Sequence, residues 1–86
     1  MITSLDDFYA ATAELREELV RSGEHAFVQR VEDAELGGAT SGEVLERLSL
    51  VLTELERTDI PDRLRIRQRV SELTAYIARI LGPASR

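Results

Sequence analysis

Apolar residues at the start of the chain recur at alternating steps of three and four, the spacing that places side chains on one face of an α-helix. Ser4 precedes this stretch, and its hydroxyl can accept a hydrogen bond from the amide of Asp7 as a helix N-cap. Ser22-Gly23 follows it, and Gly is the residue that best tolerates the left-handed conformation that ends many helices. We therefore predict a first helix over about 4–22, whose buried stripe is Leu5, Phe8, Thr12, Leu15 and Leu19.

A second, shorter stripe predicts a helix over about 24–36, which closes at Gly37-Gly38. The first two helices have one alternative, in which they run together through Gly23, because a single interior Gly costs only about 1 kcal/mol. We favour a break at Gly23. The apolar face of the second helix consists of Phe27, Val28, Val31 and Ala34.

The clearest helix start is Thr40-Ser41-Gly42-Glu43, which fits a capping box. In this motif the Thr hydroxyl caps the Glu amide and the Glu side chain reaches back to the Thr amide. The third helix is predicted over about 41–57. Its apolar face is Val44, Leu45, Leu48, Val51, Leu52 and Leu55.

The fourth helix is predicted over about 60–81, with Pro61 in its first turn, where the missing N–H is harmless. Gly82-Pro83 ends it. Its stripe is Ile66, Val70, Leu73, Ile77 and Ile80.

Four amphipathic helices joined by short connections predict an all-α fold, a compact antiparallel four-helix bundle in which the second helix is the shortest. No segment has the alternating pattern of a strand. Residues 1–86 are expected to form one domain, which suits a chain of this length. The arrangement requires that Leu15, Val51 and Ile77, one from each long helix, are buried.

The composition excludes several classes of function. The chain has no cysteine, so disulfides and thiolate metal sites are absent. Its start has no basic segment followed by an apolar run, and no stretch approaches the roughly 18 apolar residues of a membrane span. We therefore expect a cytoplasmic protein that does not bind membranes. Every fixed positive side-chain charge is Arg, which we interpret as the habit of a GC-rich bacterial genome.

The net charge of −5 is divided unevenly along the chain. Residues 1–56 carry 13 acidic residues and 4 arginines, a balance of −9, whereas residues 57–86 carry 3 acidic residues and 7 arginines, a balance of +4. A negative protein is a poor general binder of nucleic acid, because phosphate contacts need a basic surface. The charge division instead favours a protein partner.

No catalytic, cofactor-binding or metal-binding residue is predicted, and we expect no enzymatic activity. His25 is the only histidine and lacks further ligands at helical spacing. The Gly-rich segment 37–42 resembles a phosphate-binding loop, but it follows a helix and the chain contains no Lys, so it is interpreted as two helix caps. The carboxylates are expected on the outward faces of their helices, where water solvates them.

The arginines of the predicted fourth helix are spaced by two and would form two pairs, Arg63 with Arg67 and Arg65 with Arg69, on either side of its apolar stripe. The simpler interpretation is that they pair with the acidic helices of the same chain. The alternative is a partner surface along Arg65, Arg69 and Tyr76, since Arg and Tyr are enriched in interface hot spots.

Leu50 is a second candidate for an interaction surface. It points away from the apolar face of its helix and has Arg47 beside it. A single exposed leucine is common and needs no special cause, and the alternative is that a second chain covers it.

The sequence as a whole predicts a small acidic, non-enzymatic protein-interaction module. The sequence does not identify the protein partner. Neutralising or regulating such a partner would make this chain similar in role to an immunity or adaptor protein, an analogy that rests on size and charge alone. The first alternative is a nucleic-acid-binding regulator that uses the Arg-rich fourth helix. The second is a structural homo-oligomer, with a homodimer as the simplest case.

Overall fold

The computed structural model describes residues 2–82. Within that range the chain is all-α, as predicted, and forms five helices without any strand. They are α1 (Leu5–Arg21), α2 (His25–Gly37), α3 (Ser41–Glu56), α4 (Ile60–Arg63) and α5 (Arg67–Leu81).

The first three helices begin and end within one residue of the predicted positions, and side-chain caps form at the starts of α1 and α3. The backbone N–H of Asp7 donates to Ser4 Oγ at 3.1 Å, and the N–H of Glu43 donates to Thr40 Oγ1 at 3.2 Å. The Glu43 carboxylate accepts from the N–H of Ala39 at 2.7 Å, one residue further back than a capping box requires. Gly23 adopts a positive φ of 78° between α1 and α2, so the two helices do not run together.

The prediction of one continuous fourth helix was wrong, since α4 ends at Arg63 and α5 begins at Arg67. Arg65 takes the left-handed conformation with φ 59°. The N–H of Ile66 then donates to the carbonyl of Pro61 at 2.8 Å, and the N–H of Arg65 donates to that of Asp62 at 3.3 Å. These two bonds are the Schellman motif that closes a helix, here with Arg in the place usually taken by Gly. Pro61 and Ile66 are both buried, so the break sends their side chains into the core.

The four longer helices pack in a ring, α1 on α2, α2 on α3, α3 on α5 and α5 on α1, as the four-helix bundle requires. The short α4 packs on α3 and α5. Helix α5 runs antiparallel to α1, because Arg79 near its end donates to the carbonyl of Ile2 at 2.7 Å, whereas Arg69 near its start pairs with Glu14. None of the helices in the described part of the chain is long and apolar enough to cross a membrane.

The core is mainly aliphatic and follows the predicted stripes. Leu15, Val51 and Ile77 are all buried, as the bundle demands. Phe8 stacks on Tyr76 with ring centroids 5.4 Å apart. Ile80 is an exception to the predicted stripe of the last helix, since 54% of its surface is exposed. It lies in the last turn of α5, where the neighbouring Leu81 packs against the core instead.

Candidate interaction surfaces

The arginines around the break between α4 and α5 are mostly engaged within the chain. Arg63 donates to Glu24 at 3.1 Å and also lies near Asp59, which links α4 to the turn between α1 and α2. Arg67 binds both oxygens of Asp62, at 2.6 and 3.0 Å. The expected arrangement of two pairs along one helix was wrong, because Arg63 and Arg67 belong to different helices. Pairing within the chain is nonetheless what the simpler interpretation predicted.

These ion pairs shift the pKa values of their members. The Arg67 guanidinium holds the pKa of the Asp62 carboxyl below its ordinary value of 3.8. The hydrogen bond from Arg63 to the Glu24 carboxylate raises the pKa of Arg63. Both shifts favour the charged forms, so these ion pairs are present at neutral pH around the break between α4 and α5.

Arg65 is the exception in this group, since its exposed side chain makes no ion pair with the part of the chain that the structure describes. It lies at the edge of an open groove of about 550 Å³ between α1 and α5. Arg69 of α5 also lines this groove and pairs across it with Glu14 of α1. Ala10 and Ala11 of α1 line the groove, and their small side chains leave its space open. Of the two arginines predicted on this partner surface, Arg65 and Arg69, only Arg65 therefore has no ion-pair partner among the described residues.

Tyr76 does not lie on an exposed line with Arg65 and Arg69, so that part of the predicted partner surface was wrong. Only 6% of its surface is exposed, because its ring stacks on Phe8 in the core. The guanidinium of Arg79 lies over the same ring, 5.5 Å from its centroid. The signal was present in the sequence, since Tyr76 follows Leu73 by three residues and so falls on the apolar stripe.

Leu50 and Arg47 lie together on the outer side of α3. Leu50 is 67% exposed and lies between two shallow depressions, one beside α2 and one beside α5. Arg47 lines the depression beside α2, where its guanidinium nitrogen is 3.3 Å from the position that a Cβ on Gly37 would occupy. The structure thus brings these two predicted residues together, and it separates them from Arg65 and Arg69, which lie between α1 and α5.

Helices α1 and α2 carry a negative charge that no arginine compensates. Their three arginines are all engaged, in the pairs Arg16–Glu35 at 3.3 Å, Arg21–Glu18 at 2.5 Å and Arg30–Glu54 at 2.5 Å. The remaining carboxylates of the two helices have no arginine partner in the described part of the chain, and we call them the acidic surface: Asp6, Asp7, Glu17, Glu32 and Asp33.

Asp7 of this surface and Glu54 of α3, which binds Arg30 of α2, have lowered pKa values. The hydroxyl and backbone N–H of Thr3 hold the pKa of Asp7 below its ordinary value. The hydrogen bond from Arg30 does the same to the pKa of Glu54. Both groups are therefore negatively charged at neutral pH, and neither has the raised pKa of a catalytic acid.

Residues 2–82 contain no group of three or more His, Asp or Glu side chains placed to hold a metal ion. His25 is exposed at the first turn of α2. The Gly-rich segment contains the end of α2 and the N-cap of α3, as the interpretation as two helix caps predicted.

Comparisons with known proteins add no family to this description. No protein-family model matches the chain, and no curated protein or solved structure is significantly similar to it.

Proposed function

We propose that this chain is a non-enzymatic protein-interaction module that binds a basic protein partner through its acidic surface. The observation that carries the proposal is the division of charge on the folded molecule. All three arginines of α1 and α2 are used in ion pairs, and the acidic surface keeps its carboxylates unpaired. We place this role in the cytoplasm of a bacterium, in keeping with the composition.

An uncompensated negative surface acts on a positively charged partner before contact. It speeds the encounter of the two proteins, and this effect weakens as salt screens the charges over a distance of about 10 Å at 0.1 M. Binding would occlude the basic surface of the partner, which is one way in which a small protein neutralises or regulates a larger one.

The nucleic-acid alternative has less support than the protein partner. Arg63, Arg67 and Arg69 already bind carboxylates of the same chain, so only Arg65 of this group remains for a phosphate. A protein that releases few counterions from nucleic acid binds it weakly. We expect no shift of a DNA or RNA fragment in a gel mobility assay at about 50 mM salt, where phosphate attraction is strong.

A pull-down with matched charge variants tests the proposal. The double variant Glu17→Lys, Glu32→Lys reverses two charges of the acidic surface. The control, Glu46→Lys with Glu56→Lys, gives the same net charge but changes only α3. We expect the original chain and the control to retain one stoichiometric basic protein from the source cells at about 50 mM salt, and the acidic-surface variant to lose it.

Two results would count against the proposal. One is the absence of any retained protein at low salt. The other is equal retention by both variants, since equal retention would place the contact outside the acidic surface.

A further inference from the structure

Helix α3 presents an exposed ridge that runs along its whole length. The ridge positions lie three, four and seven residues to either side of Leu50, so they share the face opposite the core, and every one of them is exposed. Its apolar member is Leu50. The ridge consists of Glu43, Glu46, Arg47, Leu50, Thr53, Glu54 and Arg57.

The charges on this ridge are self-complementary about Leu50. Glu43 lies seven residues before Leu50 and Arg57 seven residues after it, which places each about 10.5 Å from Leu50 along the helix axis. Arg47 and Arg57 form no salt bridge with any residue from 2 to 82. The ridge therefore holds an apolar centre with opposite charges at its two ends.

We propose that two copies of this chain associate through α3, antiparallel and centred on Leu50. A two-fold axis at Leu50 brings Glu43 opposite the partner's Arg57, and this contact occurs twice. The same register brings Arg47 close to the partner's Glu54. A parallel arrangement would instead put Glu43 against the partner's Glu43, where the like charges repel.

The flanks of the ridge are also compatible with the antiparallel register. Arg47 and Glu54 both lie on the flank beside α2, where Glu54 binds Arg30. Glu46 lies on the other flank, beside Leu81 of α5. A two-fold axis perpendicular to the helices places the α2 flank of one copy against the α2 flank of the other. Glu46, on the opposite flank, therefore does not face the partner's Glu54.

The proposed contact is small, because one helix of each copy forms it. Stable protein interfaces bury about 1,600 Å² in total, and contacts well below that size are weak and transient. We therefore expect a dissociation constant of about 100 µM, with the charge pairs at the rim shielding the two Leu50 side chains at the centre from water. This surface is separate from the acidic surface, so the two proposals are independent.

Analytical ultracentrifugation of charge-reversed variants tests the register directly. We expect the original chain to dimerise at about 0.5 mM protein and about 50 mM salt. Glu43→Arg and Arg57→Glu should each weaken self-association about tenfold, because each places like charges opposite one another twice. An equimolar mixture of the two variants should recover the original association, since both contacts then join opposite charges.

Leu50→Gln provides the second arm of the test, since Leu50 is exposed and its replacement leaves the core unchanged. We expect this variant to be monomeric under the same conditions with an unchanged helical circular dichroism spectrum. A monomeric original chain at about 0.5 mM protein would overturn the proposal, as would a dimer that Leu50→Gln leaves intact. A mixture no tighter than the separate variants would overturn the antiparallel register. All these variants leave the acidic surface intact, so failure here has no effect on partner capture.

Discussion

Two helices of this protein end in the same hydrogen-bond pattern with different residues in the left-handed position. At the end of α1, Gly23 has φ 78°, and the N–H of Glu24 donates to the carbonyl of Leu19 at 2.9 Å. At the end of α4, Arg65 has φ 59°, and the N–H of Ile66 donates to the carbonyl of Pro61 at 2.8 Å. The left-handed conformation is natural for Gly, whereas it costs another residue about 1–2 kcal/mol.

The difference lies in what holds each helix end. Gly23 needs no help from the rest of the molecule, since its own residue type permits the turn. Arg65 is followed by Ile66, which is buried, and the burial of Ile66 offsets the cost of the turn. The second helix end is therefore imposed by tertiary packing, and the first by local sequence.

The largest effect is expected from Ile66→Ala. Removing this buried side chain should lower the free energy of unfolding by about 2–3 kcal/mol, because it takes away the packing that holds the break. The equivalent position after α1 is Glu24, and Glu24→Ala should cost less than about 1 kcal/mol, since it breaks only the ion pair with Arg63. Urea unfolding followed by circular dichroism measures both. Equal losses would show that the two helix ends are held in the same way.

Gly23→Ala should lower the free energy of unfolding by about 1 kcal/mol. The cost is conformational, because no heavy atom beyond Gly23 and its two chain neighbours lies within 4 Å of the position that a Cβ on Gly23 would occupy. The same urea titration checks this value. If the substitution had no effect, the left-handed turn at Gly23 would not depend on Gly.

Arg65→Gly should have the opposite sign and stabilise the protein by about 0.5 kcal/mol. Gly removes the strain at φ 59°, and the greater freedom of Gly in the unfolded chain cancels part of that gain. Arg65→Ala is the matched control, which removes the guanidinium and keeps the strain, so its stability should stay near that of the original chain. A comparable gain from Arg65→Ala would assign the effect to the side chain instead of the backbone.

The smallest effect concerns the ion pair that joins α4 to α5. Arg67 lowers the pKa of Asp62 in the folded protein, so the pair stabilises the fold above the ordinary pKa of 3.8 and is lost as the pH falls through the lowered pKa. Asp62→Asn should therefore have a lower Tm than the original chain at pH 7, with the difference disappearing in strong acid. Glu46→Gln, at a carboxylate with no arginine partner in the described chain, should change Tm less at pH 7. A difference for Asp62→Asn that persists at low pH would point to a cause other than charge.

The candidate surfaces were only partly predictable from the sequence. The exposure of Leu50 followed from its position on the helix, because the neighbouring apolar stripe fixes which face is buried. The ion pairs of Arg63 with Glu24 and of Arg69 with Glu14 join residues far apart in the chain, so spacing along one helix did not reveal them. The residue type of Tyr76 favours an interface, whereas its spacing from Leu73 places it on the buried stripe.

The sequence by itself determined the helical class, the caps at Ser4 and Thr40, the end of α1 at Gly23, and the faces that form the core. Each of these depends on residues within one or two helical turns of one another. Only the tertiary structure decided the break at Arg65 and which arginines stay unpaired. Both depend on how much side-chain burial and charge the neighbouring helices supply, and that energy comes from contacts between distant segments.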